Sequence, residues 1–286
     1  MLPEESEQKP AANAAAGSRS STPGHDERIQ IYFLPNLLTA GNLACGFFAL
    51  TWIFKYQQGG DYEPIKTAIR LILAAFAFDF FDGRLARLAK KESRFGREFD
   101  SLADIVSFGV APAFLIYRIV LQEFEPGWVI AATYLVCGGI RLARFNILSM
   151  QPGGADEREF VGFPIPSAAA LVVSVTMLIM WMVGHDRTLG KWGFVLPVLM
   201  VLLSVLMVSN VRYPTFKYID WTPMRSVAAF ATAVVVGLLL AVNFEVMLAA
   251  LFVAYLLYGI VRPWVSKRWR REIESDEEAE DDSAEK

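Results

Sequence analysis

Four aspartates lie close together in the sequence, and their spacing suits a metal site. Asp79 and Asp82 are three residues apart, and Asp100 and Asp104 are four residues apart. If both segments are helical, each pair projects from one face of its helix with Cβ atoms about 5–6 Å apart. Two facing helices can then gather the four carboxylates around one point, where their negative charge requires cations. This is the stretch of the chain best suited to chemistry.

The ligand atoms in this stretch favour a hard divalent cation. Carboxylate oxygens suit Mg²⁺ or Mn²⁺, whereas zinc would need a His or Cys set that the chain lacks. The two histidines, His25 and His185, are predicted to lie in a tail and an outer loop, so neither is a candidate ligand. Two cations held by carboxylates are a recurrent solution for phosphoryl transfer, because they neutralise the attacking and the leaving oxygens. The sequence therefore predicts a site for Mg²⁺ or Mn²⁺, with two ions.

The elements that must position these acids are membrane helices. Of the 286 residues, 54% are hydrophobic, which indicates an integral membrane protein. An acid near bilayer depth costs about 2.5 to 3.5 kcal/mol, so an acid cluster between apolar segments indicates a functional site. We predict an all-α polytopic transmembrane bundle of about eight helices. The apolar windows of suitable length fall at about 34-54, 66-86, 99-120, 127-148, 165-184, 193-210, 225-242 and 245-262.

Composition divides the chain into three parts. Residues 1-27 are rich in Ala, Ser, Glu, Pro and Gly, and they predict a disordered tail without a secretory signal. Residues 28-264 form the predicted transmembrane catalytic domain, which contains the acid stretch at 79-104. Residues 265-286 form a second charged tail.

Basic residues cluster in alternate connections, which the positive-inside rule assigns to the cytoplasm. The two tails and the acid stretch lie on this side, so both termini and the active site are predicted to face the cytoplasm from the cytoplasmic (inner) membrane. A nucleic acid partner is not expected. The basic residues that set this orientation are Arg84, Arg87, Lys90, Lys91, Arg94, Arg97, Arg141, Arg144, Arg158, Arg212, Lys217, Arg262, Lys267, Arg268, Arg270 and Arg271.

Three residues that follow the first acid pair are open to two interpretations. Gly83 and Ala86 are small, so a phosphorylated ligand could approach the backbone there, or the helix could pack closely against a neighbour. Arg87 can pair with a diphosphate, with Asp82, or with lipid headgroups. Their position beside four acids favours the ligand roles.

The order of these residues resembles a known family signature. All eight specified positions and their spacing are similar to those of the CDP-alcohol phosphatidyltransferases: Asp79-x-x-Asp82-Gly83-x-x-Ala86-Arg87, eight further residues, then Gly96-x-x-x-Asp100-x-x-x-Asp104. The resemblance implies a helical membrane enzyme, a homodimer, that transfers a phosphatidyl or related group from a CDP-linked donor to an alcohol.

The resemblance also implies roles for the acids. Asp79, Asp82 and Asp100 would be the principal metal ligands. Asp104 would be the catalytic general base and would also approach the metal site. A carboxylate that takes the proton of an attacking alcohol contributes typically 10²- to 10⁴-fold to the rate. The sequence leaves open whether Asp82 and Asp104 exchange these roles.

The remaining signature residues would bind the CDP group. Three polar residues that precede the signature lie at three-residue spacing on one helix face, which fits either nucleotide contacts or polar packing within the bundle. The complete predicted CDP-binding set is Asn36, Thr39, Asn42, Asp82, Gly83, Ala86, Arg87 and Gly96.

The acceptor alcohol must be inferred from outside the signature. Segments at 34–47, 141–146 with 160–170, and 209–217 resemble the phosphatidylserine synthase branch of the family. This resemblance implies transfer from CDP-diacylglycerol to L-serine, giving phosphatidylserine and CMP. Arginine matches the serine carboxylate bidentately, although membrane anchoring explains these arginines equally well and an asparagine can cap a helix. The predicted acceptor-binding residues are Arg141, Arg144, Asn146 and Arg212.

Two alternatives have sequence features of their own. The same family could use glycerol 3-phosphate or inositol phosphate as acceptor, but a phosphorylated acceptor needs a denser basic pocket than the sequence clearly shows. A membrane cation transporter would carry polar residues through the full depth of the bilayer, whereas here they cluster on one side. Both features favour the serine-using enzyme.

Overall fold

Membrane-length helices joined by short connections make up most of the structure, a computed structural model that describes residues 33–88, 94–149, 159–184, 190–214 and 244–261. The predicted tails at 1-27 and 265-286 lie outside these ranges, and the domain boundaries stay a prediction. Within the described residues the helices are α1 Phe33–Lys55, α2 Glu63–Leu88, α3 Arg94–Asp104, α4 Ala111–Ile119, α5 Gly127–Ser149, α6 Ile165–Val183, α7 Val195–Val208 and α8 Phe244–Val261.

Six segments of the described chain are long and apolar enough to cross a membrane. They match six of the eight predicted windows, with α3 and α4 joined in the single segment Phe95–Ile119. The window at 66-86 is helical in α2, which is about 39 Å long at 1.5 Å per residue but carries several charges. The window at 225-242 lies outside the described residues. The structure confirms a polytopic helical membrane protein, and the count of eight stays a prediction.

Among the described helices, the most extensive contact joins α1 to α2. Ala49 and Ile53 of α1 and Ala68 and Ile72 of α2 are completely or almost completely buried in the core. Small side chains such as alanine let membrane helices approach closely. Because α1 also contacts α3, it lies beside both acid-bearing helices and can present its polar residues to them.

A π-helical turn at Ile105–Val110 connects α3 to α4 and begins directly after Asp104. The Ser107 hydroxyl donates a hydrogen bond to the main-chain carbonyl of Asn42 in α1, at 2.9 Å. On the other side, the Tyr134 hydroxyl of α5 donates to the Phe108 carbonyl, at 3.2 Å. Two neighbouring helices therefore hold this turn, which nothing in the hydropathy pattern predicted.

The most buried of the membrane-length segments is α6. Pro164 has an extended backbone directly before the helix, and Pro166 lies in the first turn, where its missing N–H is tolerated. The helix ends at Gly184, whose φ of 66° is readily adopted by glycine. Side chains on every face of the stretch from Ala168 to Thr176 are buried. This helix therefore lies within the hydrophobic core of the described bundle.

The predicted all-α fold is confirmed, and one small antiparallel ribbon accompanies its helices. Strand β1, Glu159–Val161, pairs with strand β2, Arg212–Pro214. Beyond the ribbon, the Gly162 N–H donates to the Val211 carbonyl at 2.8 Å. Gly162 has a φ of 81°, and any side chain there would overlap the Met207 carbonyl. The ribbon therefore joins the start of α6 to the end of α7.

Candidate active site

Three acids from two helices meet at one point. Asp79 and Asp82 of α2 and Asp100 of α3 each offer a carboxylate oxygen, and these oxygens lie within 4.8 Å of one another. Asp82 is only 4% exposed, and the other two side chains are half-buried. We call these three residues the acid cluster. Their juxtaposition is the one that the three- and four-residue spacings predicted.

The acid cluster fits a hard divalent cation. Like charges at such distances in a partly buried site repel one another strongly. A cation removes this repulsion, and an all-oxygen ligand set is the one that Mg²⁺ or Mn²⁺ prefers. The residues present thus suit a metal of this class.

Asp104 lies one helical turn beyond Asp100 and beside the acid cluster. It is 7% exposed and interacts electrostatically with all three members of the cluster. The side-chain amide of Asn42 donates a hydrogen bond to Asp104 Oδ1, at 3.2 Å. The fourth acid is therefore buried and oriented by a neutral donor from a different helix.

The polar face of α1 contacts the acids directly. The Thr39 hydroxyl donates to Asp82 Oδ2 at 3.0 Å, as Asn42 does to Asp104. One turn earlier, the Asn36 side-chain nitrogen is buried and has no hydrogen-bond partner among the described residues. Two of the three predicted nucleotide contacts thus orient carboxylates, while Asn36 has an amide donor available. The CDP-binding role of all three stays a prediction.

The small signature residues flank the acid cluster. Gly83 follows Asp82 in α2, and Gly96 lies one turn before Asp100 in α3; both are half-buried. Ala86 and Arg87 belong to α2, but their side chains lie outside the described part of the chain. Their predicted contacts with CDP stay predictions.

Two of the predicted acceptor residues, Arg141 and Asn146, interact with residues of α3. Arg141 of α5 is 5% exposed, lies with its guanidinium carbon 5.4 Å from the centre of the Phe145 ring, and interacts electrostatically with Asp104. Asn146, on the same helix, donates to the Ser101 hydroxyl of α3 at 2.9 Å. The structure therefore brings this part of α5 to the acid-bearing helix, and the acceptor role of both residues stays a prediction. The side chain of Arg212 lies outside the described residues.

Arg144 has a structural role that the sequence did not reveal. Its guanidinium donates to the carbonyls of Val208 and Ser209 at 3.1 Å each and, more weakly, to that of Met207 at 3.4 Å. A helix leaves its last carbonyls without partners within the helix, so Arg144 caps the carboxyl end of α7. Its predicted contact with the acceptor stays untested.

Sequence comparison identifies the family to which this arrangement belongs. A sequence model described as CDP-alcohol phosphatidyltransferase matches residues 32–208, more than half of the chain. This chain belongs to that family. The match includes the acid cluster and Asp104, and it ends where α7 ends. The resemblance predicted from the signature is thus confirmed.

Several proteins that share one enzyme name are similar to the chain. The CDP-diacylglycerol–serine O-phosphatidyltransferase of Helicobacter pylori strain J99 is 39% identical over 242 residues, which cover 82% of this chain and 92% of the relative. The corresponding protein of Mycobacterium tuberculosis strain H37Rv is 31% identical, with 84% and 81% covered. That of Bacillus subtilis strain 168 is 35% identical, with 65% and 92% covered.

One contact near the site comes from beyond the family match. The Tyr255 ring of α8 packs against Phe163, with ring centres 5.6 Å apart, and Tyr255 interacts electrostatically with Arg141. Hydropathy predicted the helix, but it carried no signal for this packing, because only the folded bundle brings α8 beside the start of α6.

Proposed function

We propose that this protein transfers the phosphatidyl group of CDP-diacylglycerol to L-serine, giving phosphatidylserine and CMP. The observation that carries the proposal is the acid cluster: three carboxylates from α2 and α3 within 4.8 Å, in a member of the CDP-alcohol phosphatidyltransferase family. Relatives that carry the serine enzyme's name and align over most of their length support serine as the acceptor.

Asp79, Asp82 and Asp100 hold the metal in this proposal, as two Mg²⁺ or Mn²⁺ ions. When bound, the metal neutralises the diphosphate charge and makes CMP a better leaving group. Thr39 keeps Asp82 oriented through its hydrogen bond to Oδ2. Such contacts to a ligating carboxylate typically alter metal affinity or activity by about 10- to 100-fold.

Asp104 acts as the general base. Because Asn42 occupies its Oδ1, Oδ2 is the oxygen that takes the proton of the serine hydroxyl. The serine oxygen forms a new bond to the phosphatidyl phosphorus as the bond from that phosphorus to the CMP oxygen breaks. We assign the base role to Asp104 rather than Asp82, because Asp82 belongs to the acid cluster whereas Asp104 lies beside it.

In this proposal the CDP group and serine bind at the acid cluster and Asp104. Gly83, Ala86 and Gly96 allow the CDP group to approach the helix backbones, and Arg87 and Asn36 contact its polar atoms. Arg141 pairs with the carboxylate of serine; the electrostatic interaction of Arg141 with Asp104 supports this placement. Asn146 and Arg212 complete the acceptor site.

The orientation follows from the charge of the connections. We propose that the acid cluster faces the cytoplasm, that both termini lie on that side, and that the protein forms a homodimer in the cytoplasmic membrane. The lipid donor would then stay in the bilayer while serine and CMP exchange with the cytoplasm.

An acceptor panel tests the reaction. Purified protein is incubated with CDP-diacylglycerol and Mn²⁺ or Mg²⁺, together with serine, glycerol 3-phosphate or inositol phosphate, and CMP release is measured. We expect release with serine alone. Release with glycerol 3-phosphate and none with serine would refute serine as the acceptor.

A base variant tests the chemistry itself. Asp104→Asn keeps the shape of the side chain but cannot accept the proton, so CMP release should fall by about 10²- to 10⁴-fold while the protein remains folded. Metal flux into liposomes that is lost in this variant, with no CMP chemistry in the wild type, would instead identify a cation transporter.

A further inference from the structure

The residue that orients Asp104 is itself held at a second point. Asn42 donates its side-chain amide to Asp104 Oδ1 at 3.2 Å, and its main-chain carbonyl accepts a hydrogen bond from Ser107 Oγ at 2.9 Å. Asn42 and Ser107 are both completely buried. Asp104 and Ser107 lie three residues apart, so the two hydrogen bonds tie one residue of α1 to both ends of a short segment.

Close packing of the α1 backbone against Ser107 maintains the same contact. Gly46 lies one helical turn beyond Asn42, and a methyl group at this position would overlap the Ser107 hydroxyl and lie 2.8 Å from Ser107 Cα. Only a glycine lets α1 approach the segment this closely. The Ser107 hydrogen bond and the Gly46 contact therefore depend on the same separation between α1 and the π-helical turn.

The segment that contains Asp104 and Ser107 changes from α-helical to π-helical geometry. Asp104 ends α3, and Ser107 lies inside the π-helical turn Ile105–Val110. A π-helical turn contains one residue more than an α-helical turn, and such turns occur frequently at functional sites. Tyr134 of α5 holds the opposite side of the turn through the Phe108 carbonyl. The turn is thus clamped between α1 and α5 directly after the proposed base.

We infer that Ser107 is a positioning residue for catalysis: by holding the Asn42 carbonyl, it fixes α1 against the π-helical turn so that the Asn42 amide keeps Asp104 in its reactive orientation. The inference rests on the proposed function, with Asp104 as general base. Ser107 contacts neither substrate nor metal in this scheme; it acts through Asn42.

Other buried serines of the bundle behave differently, and they supply the control. Ser174 and Ser204 are buried like Ser107, but their hydroxyls donate to carbonyls of their own helices, Leu171 and Met200. Such bonds serve the local helix only. Ser107 instead donates to a residue 65 positions away, so its hydroxyl fixes the position of α1 relative to the π-helical turn.

The test compares Ser107→Ala with Ser204→Ala in the full-length protein. We expect Ser107→Ala to lower kcat for CMP release by about tenfold, the scale of one hydrogen bond, while the KM values for serine and CDP-diacylglycerol and the Mn²⁺ concentration for half-activation stay within twofold. Ser204→Ala should keep wild-type kcat at a similar melting temperature. Equal kcat values for Ser107→Ala and the wild type would overturn the inference, as would an equal loss in Ser204→Ala.

A double variant shows whether Ser107 acts through Asn42. In an Asn42→Ala background the amide is absent, so Ser107→Ala should lower kcat by less than twofold further. A second full tenfold loss would mean that Ser107 works by another route, and the inference would be wrong.

Gly46→Ala tests the same contact if Ser107→Ala does not fold. It should lower kcat with unchanged KM, whereas Gly139→Ala, whose new methyl would meet only ordinary contact distances, should not. Equal activity of these two variants would overturn the inference. A wild-type protein that releases no CMP with any acceptor would instead refute the proposed function, so the two failures are distinguishable.

Discussion

The two ends of α1, α2 and the segment Phe95–Ile119 differ in how their polar and charged groups are paired. At one end, four acids of the same sign lie together, and the donors that orient them, Thr39 and Asn42, are uncharged. At the other end, which we call the paired end, several donors and acceptors bond to one another. Arg118 donates to the Tyr56 carbonyl, Gln58 donates to Glu123, and Lys66 forms an ion pair with Glu63.

This difference in pairing between the two ends indicates where the protein needs a ligand. The Gln58–Glu123 and Lys66–Glu63 pairs at the paired end are exposed, so each contributes little to stability. At the acid end, four carboxylates lie close enough to repel one another, and a bound cation would relieve this repulsion. Variants at the acid end should therefore change activity and metal response, and variants at the paired end should change neither.

Asp100→Asn should give the largest contrast between the ends. It removes one ligand from the acid cluster, so CMP release should fall by at least about 100-fold, the upper end of the loss caused by removing a contact to a ligating carboxylate. Mn²⁺ at 100 times its dissociation constant should stabilise the wild type by about 2.7 kcal/mol and the variant by much less. Glu123→Gln is the control at the paired end, and a comparable loss of activity there would remove the distinction between the two ends.

Arg144→Gln tests whether an arginine outside the paired end also has a purely structural role. Like Arg118 at the paired end, Arg144 donates to main-chain carbonyls. Loss of the α7 cap should lower the free energy of unfolding by about 2 kcal/mol, measured by thermal unfolding in detergent. The KM for serine should change by less than twofold. A large rise in this KM without destabilisation would support the predicted acceptor contact instead.

Thr39→Val should have a smaller effect that is confined to the acid end. The variant keeps the shape of the side chain but removes the hydrogen bond to Asp82, so we expect about a tenfold loss of activity. A higher Mn²⁺ requirement should accompany this loss. Thr51→Val is the matched control, because the Thr51 hydroxyl donates to the Phe48 carbonyl of its own helix; the same loss there would contradict a specific role for Thr39.

Gln58→Ala should have the smallest effect. The side chain is exposed, and its hydrogen bond to Glu123 joins two surface groups, so the free energy of unfolding should change by less than about 0.5 kcal/mol. CMP release should stay within twofold of wild type. A strong loss of activity would show that the paired end takes part in the reaction.

The sequence predicted the parts of the site that local spacing determines. Asp79 and Asp82 are neighbours on a helix whatever surrounds them, and the apolar windows predicted the helices that bring Asp100 beside them. The family signature, read in order along the chain, predicted the family that sequence comparison then confirmed.

The features that the sequence did not predict arise from contacts between distant segments. The π-helical turn after Asp104 depends on Ser107 and Tyr134 contacts with other helices. The ribbon of β1 and β2 pairs residues about 50 positions apart. The charge of Arg144 is visible in the sequence, and it suggested a ligand contact. The sequence does not show which main-chain carbonyls Arg144 caps, because they belong to a distant helix.

The burial of Asp104 has a consequence for product fidelity. A base that activates a serine hydroxyl can equally activate water, and attack by water on CDP-diacylglycerol would yield phosphatidic acid in place of the aminophospholipid. Asp104 is 7% exposed, so bulk water has little access to it. If Asp104 is the base, the packing of α1 against α3 protects the activated lipid from hydrolysis as well as orienting the carboxylate.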